Sequence, residues 1–261
     1  MRRHGANGHQ TERRDVRVGD LVVRVHSSAG TERDTYVLVH GIGMSHRYFR
    51  RLHRELADRG VTVHSIDLPG FGGLPRPRRD VDIAAMADTL AAALRTIDAA
   101  RAIVVGQSMG TQWATALAVR HPALTTGVVL IGPVADERHR TLPAQAAALF
   151  VDTFRETPGA NALVLTDYLR CGIRWYLAQL RHMLAYAPER EIPRVPVPVL
   201  VLRGGRDAVA GPGWARRLRD AAASGRLVAV PRHAHNVQHS APRTVAFVLA
   251  AFADTLRRAG T

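Results

Sequence analysis

The chain has 261 residues, 46% of them hydrophobic and 22% charged, a globular composition that excludes a disordered chain. All 36 basic residues are arginine, against 22 acids, for a net charge of +14. They are spread along the whole chain and only 5% of residues are aromatic, so no clustered nucleic-acid surface or base-stacking platform is expected.

Residues 1–14 read as a polar, basic, disordered tail. The opening residues 1–8 have no apolar run behind them, so no secretory signal is read and a cytoplasmic protein is expected. No run approaches the roughly 18 apolar residues of a membrane span. Residues 15–25 read as a β-hairpin, with alternating β-branched residues and Gly19-Asp20 at the turn. Short apolar runs at 35–39, 61–66, 102–105, 127–131, 198–202 and 227–230 read as strands covered on both faces. Helical patterns at about 47–58, 83–97, 109–121, 214–223 and 241–258 separate most of them. A hairpin followed by strand–helix alternation predicts an α/β fold, a mostly parallel sheet with an antiparallel edge.

The alternation breaks once. Residues 134–194 are mostly helical in pattern and longer than a strand–helix–strand unit needs. Thr141-Leu142-Pro143 resembles a helix start, and Thr157-Pro158-Gly159 and Cys171-Gly172 are breaks. This stretch holds Phe150, Phe154, Tyr168, Trp175, Tyr176 and Tyr186. It is predicted to be an inserted helical cap on a core of residues 15–133 and 195–261. Cys171 is the single cysteine, which rules out an intramolecular disulfide and a cysteine-rich zinc site.

Four segments carry chemistry. Gly106-Gln107-Ser108-Met109-Gly110 follows an apolar strand and opens a helix, the setting of a nucleophile elbow. A sharp turn there exposes the serine hydroxyl and needs small residues two places to either side. His40-Gly41-Ile42-Gly43-Met44-Ser45 follows the strand at 35–39. Acyl transfer needs two preorganised N–H donors for its oxyanion; Met109, after the nucleophile, and Ile42 are the candidates. The glycine spacing there does not fit a dinucleotide site. His40 reads as a residue that orients its loop. Asp207, at the end of a late strand, is the candidate carboxylate. The loop after the last strand carries His233, His235 and His239, any of which could be the base; placement over the sheet edge favours His235.

These segments, in this order, resemble the α/β-hydrolase superfamily, in its capped esterase, lyase and carbon–carbon-hydrolase branch. The resemblance runs from Val16 to the last helix and includes Asp67-Leu68-Pro69-Gly70-Phe71-Gly72, a family marker with a structural role. It implies a catalytic triad of Ser108, Asp207 and His235, the last supported by its spacing to Pro242, with Ile42 and Met109 as oxyanion donors. The stretch Asp207-Ala208-Val209-Ala210-Gly211-Pro212 departs from the family by shifting its proline two places, which leaves the next helix start open. The loop after His40 is short in glycine for diketone cleavage, and serine at the elbow excludes dehalogenase and epoxide hydrolase chemistry. The expected activity is therefore hydrolysis of a small or medium carboxylic ester, a small-molecule substrate, with no cofactor, no metal and no nucleic-acid partner. The same triad would also serve a carbon–carbon bond hydrolase, a lyase or an acyltransferase.

Overall fold

The computed structural model describes residues 11–156 and 158–259. Strands β1 (Glu12–Val18) and β2 (Leu21–Ser28) form the expected hairpin, and Gly19 takes the φ of +59° that its tight turn requires. The strand begins earlier than its side chains suggested. Glu12, Arg13 and Arg14 pair with Ser27, His26 and Val25, so residues 12–14 are strand instead of tail. On an exposed edge strand backbone pairing decides the conformation, and charged side chains there face water at little cost. Residues 1–10 of the expected tail lie outside the described residues.

The alternation follows: β3 (Thr35–Val39), α1 (Arg50–Ala57), β4 (Thr62–Asp67), α2 (Ile83–Thr96), β5 (Ala102–Gln107), α3 (Gly110–Arg120) and β6 (Thr125–Ile131). Four helices come next, α4 (Leu142–Thr153), α5 (Pro158–Cys171), α6 (Ile173–Ala185) and the single turn α7 (Pro188–Glu191). Thr157, in the break expected before α5, is outside the described residues. The chain then returns through β7 (Val199–Gly204), α8 (Pro212–Ala221), β8 (Gly225–Val230), α9 (Val237–Ser240) and α10 (Pro242–Ala259). The displaced proline falls at the first position of α8, behind Gly211 in extended backbone, where its missing N–H costs nothing.

Among the described residues eight strands form one sheet in the order β1-β2-β4-β3-β5-β6-β7-β8. β1 and β2 are antiparallel to their neighbours, and every other pair is parallel. This is the expected α/β architecture. Its core lies on both faces. Phe71, Trp113 and Trp214 belong to one apolar layer, under α2, α3 and α8. Phe49, Leu52 and Phe252 belong to the other, under α1 and α10. Helix α1 shows the local cause: Leu52 and Leu56, four apart, are buried while Arg51 faces water. Because β3 to β8 run parallel, the loops that leave their carboxyl ends gather along one edge, where open α/β sheets place their ligand sites. No helix among the described residues is long and apolar enough to cross a membrane.

Candidate active site

Ser108 sits between β5 and α3 with φ +55°, a left-handed backbone that a serine adopts only where its surroundings hold it. The hold is visible. Its N–H donates to Ile131 O at 2.9 Å, and the flanking glycines allow backbones to touch. A Cβ on Gly106 would lie 2.2 Å from Gly110 O, and one on Gly110 would lie 2.3 Å from Val39 O. A larger residue at either place would force the turn open.

Asp207 and His235 come from the loops after β7 and β8. Asp207 Oδ1 accepts the N–H groups of Val209 and Ala210 at 2.9 and 2.8 Å. Arg203 steadies the same loop by donating to Ala210 O and Asp207 O. His235 Nδ1 lies 3.1 Å from Asp207 Oδ2, so the ring donates there and Nε2 is the nitrogen left to take up or release a proton. Both residues are buried, at 4% exposure each. Burial opposes the charge of Asp207, but the imidazole beside it and the two N–H donors outweigh that and hold its carboxyl below the usual range. Burial likewise opposes protonation of His235; Asp207, with Asp152 and Glu156 nearby, outweighs it and lifts the imidazole to about 9.

Ser108, His235, Gly41 and Ile42 line one cavity of about 180 Å³. The buried Nε2 of His235 has no hydrogen-bond partner among the described residues. Met109 directly follows Ser108 and stands before the first turn of α3, where backbone N–H groups have no partner within the helix. The two other histidines of the loop are engaged elsewhere. His233 Nδ1 is 2.9 Å from Ser240 Oγ, and the ring of His239 stacks on Tyr48 at 5.8 Å. His40 orients its loop: Nδ1 donates to Gly41 O at 2.7 Å and Nε2 accepts Leu68 N–H at 3.2 Å. Asp67 is structural, accepting His46 N–H at 2.6 Å and facing the His26 and His46 rings.

Three carboxylates from residues 142–167 also reach this edge of the sheet, and the sequence reading did not single them out. Asp152 accepts His235 N–H at 3.2 Å and Ala208 N–H at 3.4 Å. Glu156 accepts Asn236 N–H at 2.7 Å. Asp167 accepts Ser45 Oγ–H at 2.6 Å and a guanidinium N–H of Arg47 at 3.0 Å. Among the aromatics of the inserted helices, Phe150, Tyr168 and Tyr176 line the cavity. Trp175 packs instead against Phe71, at 6.1 Å between rings, and over Gly70. Phe154 meets Phe150 at 5.1 Å, as residues four apart on a helical path should, and is 76% exposed.

The profile of the alpha/beta hydrolase family matches residues 36–246. Pimeloyl-(acyl-carrier protein) methyl ester esterase of Neisseria meningitidis serogroup B (strain MC58) is 32% identical over 223 residues, 76% of this chain and 84% of that protein. A thermophilic esterase from Thermogutta terrifontis superposes with a TM-score of 0.77 at 21% identity, covering 95% of this chain and 99% of the other. The enol-lactonase from Burkholderia xenovorans LB400 gives 0.78 at 21% identity, covering 92% and 100%. These two structural likenesses speak to the fold.

Proposed function

The chain belongs to the alpha/beta hydrolase family and is a hydrolase, and from that premise we propose that it cleaves a small or medium carboxylic ester with Ser108, His235 and Asp207 as its triad. One observation carries the reading: His235 joins a carboxylate at Nδ1 to an unpartnered Nε2 in the cavity that Ser108 lines. In the proposed mechanism Nε2 takes the proton of Ser108 as its oxygen attacks the ester carbonyl. Asp207 fixes the tautomer and steadies the imidazolium. The oxyanion is received by the N–H groups of Ile42 and Met109. Collapse expels the alcohol, protonated by His235, and leaves an acyl-enzyme that water attacks through the same base. Residues 134–194 are the cap of this site, since they supply Phe150, Tyr168 and Tyr176 to its cavity and Asp152 and Glu156 to its histidine loop.

Labelling with a fluorophosphonate probe tests the nucleophile. The peptide that contains Ser108 should carry the adduct; labelling of another residue, or of none, overturns the proposal. An ester panel run beside a ring-opened diketone tests the bond. Turnover of the diketone alone would replace ester hydrolysis with carbon–carbon cleavage.

A further inference from the structure

Helices α5 and α6 carry apolar side chains on two sides. Inward, Ala160 and Cys171 of α5 and Trp175, Leu180 and Met183 of α6 are buried. Outward, of the nine large apolar side chains that stand exposed among the described residues, eight lie between Leu142 and Leu177, and only Phe247 lies elsewhere. Leu165 and Leu169 share a face of α5, and Ile173 and Leu177 share a face of α6, because each pair is four residues apart. A helix packed on a core needs one apolar stripe, so a second stripe marks a contact with something else.

Charge between Leu142 and Arg181 is sorted by side. The acids turn inward: Asp152 and Glu156 accept N–H groups of the histidine loop, and Asp167 accepts Ser45 Oγ–H. The arginines, Arg155, Arg170, Arg174 and Arg181, all stand exposed. Arg181 pairs with Asp80, whereas no acid pairs with Arg170 or Arg174 among the described residues. Arg170 directly follows Leu169, and Arg174 directly follows Ile173. The exposed leucines and isoleucine are thus edged with guanidinium groups, with no exposed carboxylate among them.

This apolar surface reaches the site. Val164 and Tyr168 line the cavity of Ser108, and the next residue in each case, Leu165 or Leu169, stands exposed. Phe150 also lines the cavity and is nonetheless 66% exposed, with its ring against that of the exposed Phe154.

We propose that the outward faces of α5 and α6 seat on an anionic lipid bilayer, and that the ester substrate passes from it into the cavity beside Phe150. The passage of substrate rests on the serine-hydrolase reading. Apolar side chains of this kind enter the boundary between headgroups and acyl chains by roughly 5–10 Å, and arginine beside them reaches the lipid phosphates. A second copy of the chain is the poorer partner, because the surface has no exposed acid to meet its own arginines.

Co-sedimentation with vesicles tests the seating and needs no turnover. The full chain should bind vesicles of phosphatidylglycerol and phosphatidylcholine in equal parts, and bind phosphatidylcholine alone at least about tenfold more weakly. Arg170→Gln combined with Arg174→Gln should weaken binding to the mixed vesicles about 30-fold. Leu165→Ser combined with Leu169→Ser, which leaves the charge unchanged, should weaken it about tenfold. Because the whole chain is basic, Arg216→Gln combined with Arg226→Gln, exposed arginines of α8 and β8, removes the same charge elsewhere and should bind as the wild type does. A wild type that stays in solution, a folded leucine variant that binds undiminished, or an equal loss in the control overturns the bilayer. Retention on immobilised polyglutamate without vesicle binding overturns it in favour of an acidic protein, and a dimer that the leucine variant breaks overturns it in favour of a second copy. Hydrolysis of p-nitrophenyl octanoate dissolved in the mixed vesicles should fall with binding in both face variants, while hydrolysis of p-nitrophenyl acetate in free solution stays unchanged. Undiminished octanoate hydrolysis overturns the passage of substrate. Fluorophosphonate labelling of Ser108 keeps the claims apart. Labelling without vesicle binding sinks the bilayer alone, and vesicle binding without labelling sinks the hydrolase reading and the passage with it.

Discussion

Gly132→Ala should cripple turnover in a protein that still folds. Gly132 follows β6 with φ +56°, a backbone that costs a residue with a side chain about 1–2 kcal/mol. The added methyl would also stand 2.8 Å from both Cε1 and Nδ1 of His235 and 3.2 Å from Asp207 Oδ2. Ordinary carbon contacts begin near 3.5 Å, so the imidazole must retreat by about 0.7 Å. It would do so at the expense of its 3.1 Å bond to Asp207. A misplacement of about 1 Å costs on the order of 100-fold in rate, so kcat/KM should fall by about 10- to 100-fold. Gly19→Ala is the matched control: its φ is +59° and nothing lies within 4 Å of the new methyl. Urea denaturation should show a loss of about 1–2 kcal/mol for Gly19→Ala and a larger one for Gly132→Ala, where displacement of the buried imidazole adds to the backbone cost, while ester hydrolysis fails in Gly132→Ala alone. Retention of more than a third of the wild-type kcat/KM by Gly132→Ala would refute the idea that this His–Asp geometry limits the rate. An equal loss of activity in Gly19→Ala would refute it as well.

Ser108→Ala should lower kcat by about 10⁴–10⁶-fold with an unchanged circular dichroism spectrum, and a folded variant with more than a tenth of the activity would remove Ser108 from the mechanism. His235→Ala should fall about as far, because the two act as one unit. His233→Ala and His239→Ala, whose rings are held by Ser240 and Tyr48, should keep most of the activity, and the reverse order would reassign the base. The kcat/KM profile should decline on the acid side with an apparent pKa above 6.5, because His235 is raised to about 9; a midpoint at or below 6.5 contradicts that placement. The same raised value stabilises the fold fully below pH 6.5, and urea stability should decrease as pH rises through about 9. Across an acyl-length series Phe150→Ala and Tyr176→Ala should shift the preferred chain by about 1–3 kcal/mol of discrimination, and the exposed Phe154→Ala should leave it alone.

What could be read from the chain in advance was local. The β-strands announce themselves as short apolar runs because most are buried on both faces, as β5 is along its whole length. Gly106 and Gly110 mark the turn at Ser108 because only hydrogen atoms fit where the two backbones meet. The order Ser108, Asp207, His235 is legible for a topological reason: each residue follows one of the parallel strands of a single sheet, so residues far apart in the chain return to the same edge. The start of β1 was missed because Glu12, Arg13 and Arg14 carry no apolar pattern, and only pairing with β2 makes them a strand.

The helices between β6 and β7 are legible in the sequence as helices, and their contacts with the loops of the sheet are not. Asp152, Glu156 and Asp167 are spaced along α4, α5 and their connection like any acids on a solvated helix face, and nothing nearby in sequence separates them from the exposed arginines around them. Their partners lie 83, 80 and 122 residues away, and only the docking of the helices onto the sheet brings them within reach. The consequence is physical as well as interpretive. The N–H groups of His235 and Asn236 are held by Asp152 and Glu156, so His235 is positioned from both sides: by Asp207 through its ring and by Asp152 through its backbone. With His235 as the proposed base, the placement of α4 and of the turn after it becomes a condition of the proposed catalysis.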